Sequence, residues 1–479
     1  MLSSIIQINH ALDSGSTLDT GSKALPKLAI KPVCELNVFV HGSYGSAFAL
    51  LSYFRVKKDN LNNTAYLSLQ RAMRETELVR YRRFSGRAGF LEVTPGTSVV
   101  VNDPARYVIG AYDAIRREVE PNNTHENRYF LFGWSGLLSQ RERRSEAICL
   151  YNELAALAAE VEAQGKTPVI NLYCHSHGCN VALNLALVDA CLFDVKSIPA
   201  GTEPEVITCM GSLLAGGAVA NLPALVGQQK AAAREKMYAK PKLRLKNIDR
   251  LIMLCLPVQP ETAPLVTSSL FGSVLQIYSD NDGILYRDAF SSKKLSTALF
   301  DPALLQGHPS IKVIRWMNNR MPVDFCQRCE DQKNKIDKKS RFSALKDLSP
   351  ASMNRLKNGG GNPDSHHEQD PTHADFWAVG NLRQGAFFEQ VPLFVFIPLM
   401  RKLLRAAADD GQYFDFCLQG SDNDAQAVLF NSTQANNPEL CATGEVSLRS
   451  VRWARSGVQR ALDVSKKLRI AIKIRSPFF

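Results

Sequence analysis

Hydrophobic residues in this chain are concentrated in short continuous runs, each of which ends in glycine or polar residues. The runs show no clean alternation of apolar and polar positions, which is typical of strands that are buried on both faces of a parallel sheet. Such runs lie at residues 35–45, 127–136, 167–174, 248–257, 272–279 and 311–317. We therefore predict six strands, most of them parallel.

A helix is predicted between the second and the third run. Ser139 and Glu142 have the spacing of a capping box, and apolar residues then recur at helical spacing from Ile148 to Val161. Gly165 is a typical helix end, two residues before the next run begins. Strands that alternate with helices predict an α/β fold, a mostly parallel central sheet flanked by helices, in which ligands bind beyond the carboxyl ends of the strands.

The stretches around and between these runs predict the domain organisation. The main domain is expected to span residues 35–390, after an N-terminal leader at residues 1–34. Two insertions interrupt it, a lid-like one at residues 192–247 and a basic one at residues 318–365. Residues 391–479 are expected to form a basic, helical C-terminal extension.

The composition is that of an ordinary globular protein. The chain has 479 residues, of which 45% are apolar and 22% charged, and these values exclude a disordered chain or a coiled coil. The 11 cysteines are an odd number, and several lie inside the apolar runs, as reduced and buried thiols do. The first lysine or arginine is Lys23, so the positively charged start of a signal peptide is missing. A cytoplasmic location is expected, with signal-independent export left open.

The net charge of +11 is unevenly distributed. Residues 228–250 hold eight lysines and arginines against two acids, and they adjoin residues 206–229, which carry no charge in 24 positions. An apolar segment beside a basic one indicates peripheral contact with an anionic membrane. A membrane span is not expected, because the uncharged run contains four glycines and Pro223. No RNA-binding motif, zinc-finger spacing or basic zipper accompanies the charge, so no nucleic-acid partner is predicted.

The most specific chemical signal is the sequence Tyr-Cys-His-Ser-His-Gly-Cys-Asn at residues 173–180, between a predicted strand and an apolar helical run. A serine in a tight strand-to-helix turn adopts a strained backbone conformation, so the residues two before and two after it must be small. Cys174 and Gly178 meet that requirement around Ser176. The turn also places the serine oxygen at a helix N-terminus, where backbone N–H groups stabilise negative charge. Ser176 is therefore the candidate nucleophile.

This turn resembles the nucleophile elbow of the α/β-hydrolase superfamily, with Cys174 in place of the first glycine of its G-x-S-x-G pattern. The resemblance extends over about residues 35–377 through short motifs and the order of the elements. It implies an α/β-hydrolase fold and a triad in the chain order serine, acid, histidine. It also implies an oxyanion hole formed by the backbone amides of His177 and of Ser43, which follows His41 and a glycine after the first strand.

The resemblance also directs the search for the acid and the base. The acid is expected after the fifth predicted strand, and lipase-like members carry it before glycine and a hydrophobic residue, which favours Asp282 over Asp280. The base must follow the last strand, where His373 begins a predicted helix in a context common in hydrolases. His367 and His366 are alternatives, because one sequence does not fix the register of a long insertion.

A serine esterase or lipase is the function that the resemblance implies, with a small-molecule ester or a lipid as substrate. The reaction proceeds through an acyl-enzyme that water releases, so no cofactor is expected. No metal site is predicted, because the pair Cys326 and Cys329 near His366 and His367 has a spacing that is common by chance. The alternative is a catalytically degenerate hydrolase fold that binds a lipid or a protein.

Overall fold

The computed structural model describes the residues that form the central sheet and its flanking helices. They are residues 31–42, 90–95, 104–134, 140–217, 238–280, 282, 296–317, 371, 373, 376–377, 392–407, 411–420, 424–432, 439–447 and 449. Of the candidate site residues named above, Ser43, His366 and His367 lie outside the described residues. So do Ser139 of the predicted capping box and the basic insertion at residues 318–365, which includes Cys326 and Cys329.

Strands and helices alternate through the first two thirds of the chain. The strands are β1 (Val33–Val40), β2 (Phe90–Glu92), β3 (Glu126–Phe132), β4 (Thr167–His175), β5 (Ile248–Leu254), β6 (Phe271–Tyr278), β7 (Ile311–Met317), β8 (Tyr413–Gly420), β9 (Asp424–Asn431) and β10 (Glu439–Ser447). The α-helices are α1 (Pro104–Val119), α2 (Gln140–Ala163), α3 (His177–Phe193), α4 (Pro204–Ser212), α5 (Pro302–Leu305) and α6 (Ile397–Ala406).

These strands form one sheet in the order β10-β9-β8-β7-β6-β5-β4-β1-β3-β2. The seven strands from β8 to β3 in this order pair in parallel. By contrast, β2 at one end and β9 and β10 at the other pair antiparallel. The six strands predicted from the apolar runs are present as β1, β3, β4, β5, β6 and β7. The prediction of a mostly parallel α/β fold is therefore confirmed.

Helices cover both faces of the sheet. Successive side chains of each strand point to opposite faces, so one strand contributes residues to two core clusters. In β1, Leu36 and Val38 pack in a core cluster with α2 and α3. Phe39 belongs to a second cluster, on the other face, with α1 and α6. Residues on both faces of the strands are thus removed from water, which explains why the strands read as continuous apolar runs.

The uncharged run at residues 206–229 begins inside the protein core. Val206, Met210 and Leu213 are buried and belong to the same cluster as α2 and α3. The run is described as far as Gly217, and its remaining residues lie outside the described part of the chain. Among the described residues, no helix combines the length and the apolar character that crossing a membrane requires.

The predicted helical character of the C-terminal extension is not confirmed. Its described part contains the ten-residue helix α6 and then three strands that extend the central sheet beyond β7. In β8, Phe414, Phe416 and Leu418 lie together in the cluster with α6, while Cys417 packs with Val428 in another cluster. This period of two is the signature of a strand, and it explains why this part of the extension pairs with the sheet instead of forming a helix.

Candidate active site

Ser176 occupies the sharp turn between β4 and α3. Its backbone has φ 52° and ψ −131°, a conformation that non-glycine residues rarely adopt. The Ser176 amide donates a hydrogen bond of 2.9 Å to the carbonyl oxygen of Leu254, the last residue of β5. The strained backbone at Ser176 agrees with the prediction from its small neighbours, and the hydrogen bond to β5 holds the turn in place.

Two glycines allow the loop after β1 to approach this turn closely. A Cβ atom at Gly178 would lie 2.4 Å from the carbonyl oxygen of His41 and 2.8 Å from that of Val40. A Cβ atom at Gly42 would lie 2.7 Å from the Cβ atom of Ser176. The loop and the first turn of α3 are thus packed backbone against backbone, with no room for side chains between them.

The oxyanion-hole donors expected from the sequence are the backbone amides of His177 and Ser43. The amide of His177 begins α3, and the first amides of a helix have no partner within the helix. Gly42 reaches the other side of the serine, and Ser43, the expected second donor, follows it directly in the sequence but lies outside the described residues. The Nδ2 atom of Asn180 donates to the Nδ1 atom of His177 at 3.4 Å and so fixes its ring.

His41 braces the loop after β1. Its Nδ1–H group donates to the carbonyl oxygen of Gly42 at 2.7 Å, and its Nε2 atom accepts from the amide of Trp134 at 3.2 Å. The Trp134 indole stacks on the imidazole and donates to the His41 carbonyl oxygen at 2.5 Å. These partners assign the Nδ1–H tautomer and give His41 a structural role in the loop.

Asp282 and His373 form a buried pair. The Nδ1 atom of His373 lies 2.8 Å from the Oδ2 atom of Asp282, and the two side chains are 2% and 0% exposed, respectively. A carboxylate only accepts hydrogen bonds, so Nδ1 carries a proton and Nε2 is the basic nitrogen of the neutral ring. Of the acid and base candidates that the sequence offered, the structure brings these two together.

His175 connects this pair to the turn. Its Nε2–H group donates to the carbonyl oxygen of His373 at 3.0 Å, and the centroids of the two rings are 4.6 Å apart. His175 directly precedes Ser176, so the bond ties the main chain of His373, the candidate base, to that of Ser176, the candidate nucleophile. Burial lowers the pKa of His175 well below its usual value of 6.5, and the neighbouring His373 lowers it further. The ring is therefore neutral at physiological pH.

Asp280 has a different partner. Its Oδ2 atom accepts a hydrogen bond of 2.9 Å from Nη1 of Arg315, and the same guanidinium binds Asp415 through two further bonds of 3.0 Å each. Asp280 thus belongs to an ion cluster between β6, β7 and β8 rather than to the pair with His373.

Sequence reasoning did not single out Cys255 or Trp377 at this site. Cys255 follows β5 directly. Its φ is 50°, and Ser176 is the only other described non-glycine residue with a positive φ. Trp377 is fully buried and stacks on the ring of His175. A polar or reactive residue at the carboxyl end of an apolar run was the available signal for Cys255, because the site forms at that edge of the sheet.

Comparison of the chain with known protein families, with curated proteins and with solved structures finds no match in any of the three. Its function is therefore inferred from the residues, the distances and the chemistry of this site.

Proposed function

We propose that the chain is a serine hydrolase of the α/β-hydrolase type, with Ser176 as nucleophile, His373 as base and Asp282 as acid, and that it cleaves carboxylic esters. The observation that carries the proposal is the buried hydrogen bond between Asp282 and His373, which the contact of His175 with His373 ties to a strained serine turn. Nucleophile, acid and base also follow each other in the chain order that this family uses.

The proposed reaction begins with the hydroxyl of Ser176. The Nε2 atom of His373 takes its proton, and Asp282 stabilises the imidazolium that forms. The serine oxygen attacks the carbonyl carbon of the ester, and the negative charge on the carbonyl oxygen is stabilised by the amides of His177 and Ser43. The imidazolium then protonates the leaving alcohol, and a water molecule that His373 activates releases the acyl group. No cofactor takes part in these steps.

A surface feature supports a lipid substrate delivered from an anionic membrane. Leu243 is 50% exposed, and Arg244 next to it contacts the ring of Phe193, itself 37% exposed, with its guanidinium carbon 5.5 Å from the ring centroid. Four basic residues close to Leu243 in the sequence, Lys240, Lys242, Arg244 and Lys246, are exposed. We call this the basic-apolar patch, and its residues are Phe193, Val195, Lys240, Lys242, Leu243, Arg244 and Lys246. Apolar side chains that enter a lipid surface and cations that bind its phosphates act together.

Activity-based labelling tests the hydrolase proposal. A fluorophosphonate reacts with an activated serine and leaves an ordinary one unmodified, so we expect the wild-type protein to be labelled and Ser176→Ala to be unlabelled. Ser197→Ala, which removes an exposed hydroxyl bound to the carbonyl of Asp194, is the matched control and keeps labelling. Nitrophenyl esters of increasing chain length then define the acyl group. Lipid binding by a protein that neither reacts with the probe nor cleaves any ester would favour the degenerate binding module.

Vesicle co-sedimentation tests the membrane proposal. Lys240→Gln/Lys242→Gln should weaken binding to anionic vesicles, since each cation near such a surface contributes about 1 kcal/mol. Hydrolysis of a soluble short-chain ester should be unchanged. The control Lys402→Gln/Arg449→Gln removes two exposed cations from the part of the fold that contains α6, and it should bind normally. Equal loss in both variants, or equal binding to neutral vesicles, would contradict a role for the basic-apolar patch.

A further inference from the structure

The thiol of Cys255 lies beside the pair formed by Asp282 and His373. Cys255 follows the end of β5, and its amide donates a hydrogen bond of 2.8 Å to the carbonyl oxygen of Ile277 in β6. β5 lies between β4, which leads into Ser176, and β6, which leads towards Asp282. Cys255 thus occupies the strand end between the nucleophile and the acid.

Three potential metal ligands meet there. The Sγ atom of Cys255, a carboxylate oxygen of Asp282 and a ring nitrogen of His373 all lie within 4.8 Å of one another, and the three residues are buried. The positive φ of Cys255 is a second observation, because strained backbone persists where the surrounding structure holds it and occurs preferentially at functional sites.

The separations are close to those of a tetrahedral zinc site. Zinc binds sulfur at about 2.3 Å and nitrogen or oxygen at about 2.0–2.2 Å, so neighbouring ligand atoms are about 3.3–3.6 Å apart. The present upper limit of 4.8 Å is about 1.2–1.5 Å larger than this, so the three side chains must move closer together when the ion binds. Thiolate, imidazole and carboxylate form a mixed donor set that suits zinc, whereas magnesium and calcium prefer oxygen ligands alone.

We propose that Cys255, Asp282 and His373 form an inhibitory site for Zn²⁺. Binding needs the lone pair of one ring nitrogen of His373 and the thiolate of Cys255, whose proton is released. Whichever nitrogen binds the ion, the ring loses its capacity to accept the proton of Ser176, because the other nitrogen then carries the hydrogen. The metal also competes for the carboxylate that orients the base. The inhibition rests on the hydrolase proposed above, but the binding does not.

Metal binding is tested first, without reference to activity. The full-length protein is freed of metal with a chelator and titrated with Co²⁺, which reports a thiolate ligand by a sulfur-to-metal charge-transfer band. We expect the band with one ion per chain, its loss in Cys255→Ser and Asp282→Asn, and displacement of Co²⁺ by Zn²⁺. Cys417→Ser, at a buried cysteine of β8 outside the cluster, is the control and should keep the band. A missing band in the wild-type protein, or an unchanged one in Cys255→Ser, would overturn the site.

Inhibition is tested next, on a soluble ester. The chelator-treated wild-type enzyme should be fully active and should lose activity as Zn²⁺ is added. Cys255→Ser, compared with its own activity without zinc, should need at least tenfold more Zn²⁺ for the same fractional loss. Inhibition that persists unchanged in Cys255→Ser would contradict the proposal. So would an enzyme that loses activity with the chelator and regains it with Zn²⁺, since the metal would then be required. A Co²⁺ band without any hydrolysis would refute the proposed function while leaving the metal site intact.

Discussion

The ring of His175 lies parallel to the indole of Trp377, with centroids 5.6 Å apart and an interplanar angle of 9°. Both residues are fully buried, and Trp377 follows His373 by four positions. His175 therefore holds the segment that carries the base in two ways, through this stack and through its hydrogen bond to the carbonyl oxygen of His373. We regard it as a positioning residue, which does not itself contact the substrate.

Replacement of His175 should separate catalysis from substrate binding. His175→Phe keeps the aromatic stack but removes the donor, so we expect kcat to fall by about 10²-fold, the order of loss that a 1 Å displacement of a reacting group causes, with little change in KM. His175→Gln retains an N–H donor and should recover part of the loss. Steady-state kinetics of both variants on a soluble ester measure this, with His308→Gln as a control distant from the site in sequence. Equal activity of wild type and His175→Phe would show that the hydrogen bond does not position the base.

The same residue should make the stability of the fold depend on pH. In the folded state the pKa of His175 lies well below 6.5, chiefly because the ring is buried, so between these two values the unfolded chain binds a proton that the folded one does not. The free energy of unfolding should therefore fall as the pH decreases below about 6.5, by up to about 1.4 kcal/mol per pH unit from this group. Denaturant titrations at several pH values should give a shallower slope for His175→Phe. Parallel slopes for the two proteins would mean that His175 titrates normally when folded.

Asp282 and Asp280 should differ strongly when each is changed to asparagine. Asp282→Asn replaces the carboxylate that accepts the Nδ1–H group of His373, which favours the wrong tautomer and should lower kcat by about 10⁴-fold. Asp280→Asn weakens an ion pair with Arg315, which Asp415 still holds, and should change activity by only a few-fold. The two kcat values, measured on folded proteins of similar circular dichroism, test the assignment. The reverse ranking would move the acid to Asp280.

Gly178→Ala should destabilise the fold and disturb the site. The added Cβ atom would meet the backbone oxygens of His41 and Val40, which cannot move aside as a flexible side chain would. We expect a cost of about 1–3 kcal/mol in the free energy of unfolding, together with weaker fluorophosphonate labelling. Gly211→Ala is the matched control, because its Cβ atom meets nothing within 4 Å and alanine favours the helix. A Gly178→Ala protein as stable as Gly211→Ala would contradict the close approach.

The sheet and the serine turn could be predicted from the sequence because both depend on residues that are near each other in the chain. A strand that is buried on both faces is recognised in the sequence as a short apolar run. The turn at Ser176 is recognised by small residues two positions away. Gly178 illustrates the limit of this reasoning, since the pattern requires a small residue there but does not reveal that the carbonyl oxygen of His41 leaves no space.

Contacts between segments that are distant in the chain determine which candidate residues meet at the site, and the sequence alone does not reveal these contacts. Asp280 and Asp282 are two residues apart. Arg315, which binds Asp280, belongs to a strand later in the chain, and so does Asp415, which binds Arg315. The proximity of Cys255 to His373 is likewise a consequence of tertiary structure. The strands after residue 412 were missed because apolar and polar positions alternate there with a period of two, a weaker signal than the continuous apolar runs of the buried parallel strands.

Because β8 pairs with β7 in parallel, this part of the sheet forms only after a long segment between the two strands has been synthesised. The 95 residues from 318 to 412 separate the two strands, and His373 lies within them. While a ribosome is still translating this stretch, the emerged part of the sheet ends at β7 with an unpaired edge that can bind other nascent chains. The proposed base, His373, lies in the same stretch of chain, which leads to β8. The proposed base and the strand that covers the edge of β7 should therefore both become available only late in translation.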